Sequence, residues 1–209
     1  MPSFDIENKL EGLIVGIDEA GRGPWAGPVV AGAVCILDRN IHPDILANLN
    51  DSKKLSASKR EKLYKLLYEE EQNGKLQIGV GQSSADEIDE KNILQATFIA
   101  MNRAVEQLKS KPNIAIIDGN QLPKQFPIKA QSIIKGDSKS FSIAAASIIA
   151  KVYRDQLMKD LSTKYPYYAF EKNAGYGTKA HIEGIQKHGV IKGCHRCSYK
   201  PIQEALKNA

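Results

Sequence analysis

Asp18 and Glu19 stand side by side at the end of a short apolar run, Leu13 to Ile17, and Gly21-Arg22-Gly23 follows at once in a loop rich in Gly and Pro. Two carboxylates at such a mouth repel a phosphate unless a divalent cation lies between. Glycine N–H groups and a guanidinium suit a phosphate directly. Acids for a metal beside donors for a phosphodiester point to metal-dependent cleavage of a nucleic-acid backbone. The competing reading, a nucleotide cradle, fails on spacing. Gly16, Gly21, Gly23 and Gly27 do not form G-x-G-x-x-G, and no Gly-Lys-Ser/Thr follows. Taken alone, the acidic pair is accounted for as well by a tight turn with solvated acids.

Further acids along the chain bear on that choice. Ile114-Ala-Ile-Ile117 reads as a short buried strand ending in Asp118, just before Gly119. Asp18 and Asp118 thus both stand where an apolar strand meets a glycine loop, and neighbouring strands bring such ends together. In an ideal strand Glu19 points to the face opposite Asp18. Both reach one site only if the backbone turns there, which Gly21 and Gly23 permit. A fourth acid is either Asp137 or Asp155. They lie eighteen residues apart, so one continuous helix would separate them by about 27 Å and they cannot serve the same metal pair. Local sequence allows Asp137 as a helix N-cap and Asp155, beside Arg154, as an ion-pair partner. It leaves the choice open.

Gly16-Ile-Asp-Glu-Ala-Gly-Arg-Gly-Pro-Trp-Ala-Gly-Pro-Val-Val30 resembles the signature of the type 2 ribonucleases H, in the bacterial ribonuclease HII form. Asp51-Ser-Lys-Lys-Leu-Ser56, Ile117-Asp-Gly119, Lys135-Gly-Asp-Ser-Lys139, Ala144 to Asp155, Gly175-Tyr-Gly-Thr178 and His195-Arg196 resemble further segments of that family, in family order. The resemblance implies a ribonuclease H-like α/β fold and cleavage of RNA in RNA–DNA hybrids and at ribonucleotides embedded in duplex DNA. It selects Asp137 over Asp155. Asp18 would bridge two divalent ions, Mg²⁺ or Mn²⁺; Glu19 and Asp118 would complete one and Asp137 the other. One ion activates water and the other stabilises the leaving 3′ oxygen, which leaves a 5′-phosphate and a 3′-hydroxyl.

The resemblance also implies how RNA is told from DNA, by its 2′-hydroxyl. That task falls to the backbone of Gly21, Arg22 and Gly23 together with Tyr176, whose ring stacks on the deoxyribose after the ribonucleotide. Ser52, Lys53, Lys54, Thr178, Arg196 and Ser198 are implied phosphate contacts, and a band of such contacts makes binding salt-dependent. The alternative is a non-catalytic nucleic-acid-binding protein, which would gain nothing from four acids facing phosphate.

The elements that must position these groups follow from the chain as a whole. Its 209 residues suit one domain, 1–209, with a C-terminal helical extension from about residue 165 that carries Tyr176. Lys+Arg 29 against Asp+Glu 24 gives +5, compatible with a polyanionic partner. Three cysteines argue for a reducing compartment. Cys194-His-Arg-Cys197 has the spacing of half a zinc site, whose completion would need His181 or His188. No signal peptide, apolar span or lipidation motif is recognised, so a cytoplasmic monomer is expected, without membrane partners. Gln203-Glu-Ala-Leu206 lacks the following aromatic pair of a sliding-clamp peptide, so clamp binding is not expected. Leu13–Ile17, Val29–Ile36, Leu76–Val80, Ile114–Ile117 and Ile128–Ile134 read as strands. Helices are expected over Ser56–Glu71, Ser84–Leu108, from near Asp137 to Leu161, over Thr178–Lys187 and over Pro201–Leu206. This order predicts a mixed sheet with helices on both faces.

Overall fold

The computed structural model describes residues 1–50 and 52–207. The apolar run forms β1 (Ile14–Ala20), buried through Asp18, as expected of a central strand covered on both faces. It pairs antiparallel with β2 (Val29–Ile36), Val15 opposite Cys35 through Ala20 opposite Val30. Then come α1 (Pro43–Asn48), α2 (Ala57–Gln72) and β3 (Leu76–Ser83), which pairs antiparallel with β2. Two helices, α3 (Ala85–Lys91) and α4 (Ile93–Glu106), lead to β4 (Ile114–Asp118) and β5 (Lys129–Ile133). Both strands run parallel to β1, giving the order β3-β2-β1-β4-β5. The chain closes with α5 (Phe141–Lys164), α6 (Phe170–Asn173), α7 (Lys179–His188) and α8 (Lys200–Lys207).

Helices cover both faces of the sheet. Ala96, Ala100, Met101 and Ala104 of α4 pack on Val15, Ile17, Ala31 and Ala33. On the other face α5 and α2 bring Ala144, Ala145, Ile149, Leu63 and Leu67 against Val34 and Ile78. The run Ala144-Ala-Ala-Ser147 lets α5 lie almost on the strands. At Gly16 the backbone of Ser142 and Ile143 occupies the place a Cβ would take. Each fully buried isoleucine of α5 contributes about 1.5–3 kcal/mol of burial. The start of α5 is thereby pressed against β1, next to the strand ends that carry Asp18 and Asp118. A third cluster, Ala26, Met158, Tyr168, Phe170, Ile185, Cys194 and Ile202, joins the C-terminal helices to the loop after β1.

Two expected helices differ. The segment Ser84–Leu108 is broken at Asn92, whose φ of 68° ends α3 and whose side chain accepts from the Leu94 and Gln95 N–H groups to begin α4. Asparagine tolerates this left-handed conformation, so a polar residue suffices where Gly or Pro would be the obvious breaker. The helix expected near Asp137 begins at Phe141, capped by Ser140 Oγ, which accepts from the Ile143 N–H. Asp137 lies instead in a separate 3-10 turn, Gly136–Ser138. The short α1 has no counterpart among the expected elements; Pro43 and the His42 side chain start it. Among the described residues no helix is long and apolar enough to cross a membrane.

Candidate active site

Two strand ends and one turn converge. Asp18 of β1, Asp118 at the end of β4 and Asp137 of the 3-10 turn offer carboxylate oxygens that all lie within 4.8 Å of one another. Parallel pairing of β1 with β4 supplies the first two. The Gly136 N–H donates to Asp118 Oδ1 at 2.6 Å, which locks the turn of the third to the ligand atoms of the second. Lys135, entering that turn, has a left-handed φ of 56°, a conformation costly for a residue with a Cβ and found preferentially at functional sites. Glu7, from the N-terminal 3-10 turn, fixes the far side. One of its oxygens accepts from Ser140 Oγ, Ser142 Oγ and the Ser142 N–H at 2.7–3.0 Å.

Glu19 is the acid that the structure does not bring into this triad. β1 continues through Ala20, still paired with β2, and Glu19 lies outside the group of three whose oxygens meet, although its charge acts on Asp18. Glu19 instead meets Arg22 Nη1 at 3.4 Å, while its N–H donates to Asp18 Oδ1 at 2.7 Å. Asp155 lies elsewhere, bonded to Lys151 Nζ at 2.6 Å and 4.0 Å from Arg60.

Burial, then the charges of Glu19 and Asp118, push the Asp18 carboxyl well above the usual carboxylate range; the bond from the Glu19 N–H acts in the other direction. Like charges gathered in a buried pocket oppose ionisation unless a cation joins them. The site fits a hard divalent ion on this ground, since carboxylate oxygens are the ligands such ions take.

The loop after β1 is shaped from behind by two buried arginines. Arg154 of α5 donates to the carbonyls of Pro28, Ala174 and Ala26 at 2.9–3.1 Å. Arg196 donates to those of Gly27, Arg22 and Gly21 at 2.5–3.0 Å. Burial holds the Arg154 guanidinium down to about 10. Gly21 has φ +97° and no room for a Cβ, because the Arg154 side chain fills that place. In a trans peptide the N–H points opposite to the C=O. With the Gly21 and Arg22 carbonyls turned inward to Arg196, the N–H groups of Arg22 and Gly23 point outward. Tyr176 completes the surface: it is 51% exposed, and a Cβ on Gly23 would lie 3.3 Å from its ring.

The remaining candidates are scattered in character. Arg196 is fully buried, so the expected phosphate contact is not open to its guanidinium, which is satisfied by the loop. Ser52 is buried, and its carbonyl accepts from Arg60. Lys54, Thr178 and Ser198 are exposed; Thr178 caps α7 and Ser198 Oγ donates to Asp89. The side chain of Lys53 and all of Asp51 lie outside the described residues. His181, considered above as a zinc partner, turns Nε2 to His195 instead. Sequence reasoning passed over Glu7 and Arg154. For Arg154 the signal was an arginine spaced by four from Ala150 and Met158 on one apolar helix face.

Comparisons with known proteins agree with this geometry. The family model described as ribonuclease HII matches residues 15–202. A ribonuclease HII of Wolbachia sp. subsp. Brugia malayi is 48% identical over 208 residues, covering 100% of this chain and 98% of that protein. One from Fusobacterium nucleatum is 51% identical over 197 residues, covering 92% and 86%. The crystal structure of ribonuclease H2 from Pyrococcus horikoshii superposes with a TM-score of 0.74 at 28% identity, covering 94% of this chain and 98% of that one. With the acids assembled at the strand ends of a ribonuclease H-like sheet, the chain belongs to the ribonuclease HII family, the metal-dependent endoribonucleases among the hydrolases.

Proposed function

We propose that this enzyme hydrolyses the RNA strand of RNA–DNA hybrids and cuts on the 5′ side of ribonucleotides embedded in duplex DNA, leaving 5′-phosphate and 3′-hydroxyl ends. The observation that carries the proposal is the adjacency of a largely buried three-carboxylate cluster to an outward-facing pair of amides beside an exposed tyrosine ring. Asp18, Asp118 and Asp137 would hold divalent metal, Mg²⁺ or Mn²⁺, with Asp18 shared between two ions and Glu19 joining through a movement of its side chain. Bound ions would supply an activated water and stabilise the leaving 3′ oxygen.

The chain's own groups supply selectivity. The N–H groups of Arg22 and Gly23 donate to the 2′-hydroxyl and its phosphate, and the missing Cβ of Gly23 lets a minor-groove sugar approach. Tyr176 stacks on the following deoxyribose. Arg196 and Arg154 hold the loop so that these donors keep their direction; Lys53, Lys54, Thr178 and Ser198 meet phosphates along the duplex. The deciding experiment is cleavage of a labelled duplex containing one ribonucleotide, with and without metal. A single cut 5′ to the ribonucleotide, abolished by EDTA and restored by Mg²⁺ or Mn²⁺, is expected. Cleavage that survives exhaustive chelation, or equal cutting of all-DNA duplex, would refute it.

A further inference from the structure

His181 of α7 and His195, in the segment before α8, are fully buried and face one another Nε2 to Nε2 at 3.0 Å. Their outer nitrogens fix where the protons are. The Ile191 N–H donates to His195 Nδ1 at 2.8 Å, so that nitrogen is an acceptor and the proton of this ring is on Nε2. His195 Nε2–H therefore donates to His181 Nε2, and His181 Nδ1–H donates to the Tyr176 carbonyl at 3.0 Å. Three hydrogen bonds running in one direction connect the Ile191 amide to the backbone of Tyr176. A second proton on either ring would set two N–H groups against each other and break the chain.

The surroundings keep the pair neutral. Trp25 and Phe170 pack on the His181 ring, and Tyr168 meets both histidines edge-on. Tyr168 touches both rings and Cys194 and Cys197 flank His195-Arg196, the guanidinium of which turns to the loop carbonyls; burial raises Tyr168 and both thiols, Cys194 to about 11. The same burial lowers His181 and brings His195 down to about 4.

We propose that His181 and His195 are positioning residues for substrate reading: as a neutral pair in one tautomeric arrangement they hold the Tyr176 carbonyl, and so its ring, beside Gly23. The proposal rests on the reading of Tyr176 as the residue that meets the sugar. It departs from a zinc role for this histidine and cysteine cluster, because the ring nitrogens are already engaged with one another and with backbone.

His181→Leu removes the chain of bonds, whereas His181→Asn keeps an N–H directed at the Tyr176 carbonyl. On a duplex with one ribonucleotide, at saturating Mn²⁺, His181→Leu is expected to slow cleavage by about tenfold, the scale of one lost stacking contact. His181→Asn is expected to recover most of this. In a Tyr176→Ala background His181→Leu is expected to add no further loss. Amide hydrogen exchange over residues 175–178 should quicken in His181→Leu but not in His181→Asn, with exchange in β1 and β4 and calorimetric Mn²⁺ binding unchanged. Wild-type cleavage by His181→Leu, or losses that multiply in the double variant, would overturn the proposal. If Tyr176→Ala itself cleaves normally, the sugar-reading role fails separately. Exchange then decides: unchanged exchange at 175–178 overturns the positioning role, and faster exchange upholds it.

Discussion

The acidic triad and the C-terminal cluster behind the loop after β1 are both largely buried and both charged, yet they are finished to different degrees. Behind the loop, each guanidinium finds three carbonyls and the histidines satisfy one another. At the strand ends, three carboxylates gather with repulsion built in, and Asp18 is pushed up as a result. The first region is complete as folded protein. The second is complete only with a cation. Catalytic potential therefore resides where the chain leaves charge unbalanced, and rigidity where it balances charge with backbone.

The largest effect that would break this contrast is at Asp18. Asp18→Asn is expected to reduce metal-dependent cleavage by about a thousandfold or more, roughly 4 kcal/mol of barrier, while raising the melting temperature of the metal-free protein by easing repulsion. A variant that melts lower yet retains activity would mean that the triad is structural. Next comes Arg154→Met, which strands the carbonyls of Ala26, Pro28 and Ala174. Urea unfolding should show a loss of about 3–5 kcal/mol; a loss below about 1 kcal/mol would show that the loop does not depend on this charge.

The two regions should also titrate with opposite signs. His195 binds its proton near 6.5 when unfolded but only at about 4 when folded. Its contribution is intact above pH 6.5 and is lost as pH falls toward 4, by up to about 3 kcal/mol, with His181 adding in the same direction. Asp18, raised in the folded state, acts the other way and favours the fold as acid protonates it. Denaturation of Asp18→Asn between about pH 7 and 5.5, above the range where Glu87 begins to contribute, reads the histidine contribution; a flat profile in that variant would remove it. The smallest effect is expected at Asp155, a partly exposed ion pair with Lys151. Asp155→Asn should cost under about 1 kcal/mol and leave cleavage unchanged, and a folded but inactive variant would place it in the active site after all.

What the sequence made legible divides along the same line. Asp18 and Asp118 could be placed because each ends an apolar strand, and strand pairing follows from local pattern. The break at Asn92 was illegible because no Gly or Pro marks it, and the separation of Asp137 from α5 because Ser140 competes as the cap. Glu19 was assigned by resemblance; local pattern alone required a turn there, whereas the strand continues through the pairing of Ala20 with Val30. Arg154, Arg196 and Glu7 were hidden or misassigned for another reason. Much of what they bond is backbone or hydroxyl more than a hundred residues away, and a backbone carbonyl leaves no trace in residue type.

The bond from Arg196 to the Gly21 carbonyl spans 175 positions of the chain, and that span has a meaning in time. During synthesis, at about 5–20 residues per second, the segment around Gly21 is made about 10–35 s before the guanidinium that shapes it. Throughout that interval the nascent chain carries Asp18 and Glu19 but lacks the guanidinium that shapes the loop after them. The loop proposed to read RNA against DNA thus takes shape later than the acids Asp18, Asp118 and Asp137 are made, and a product truncated before the Arg196 segment would keep those acids without the contacts that shape the loop.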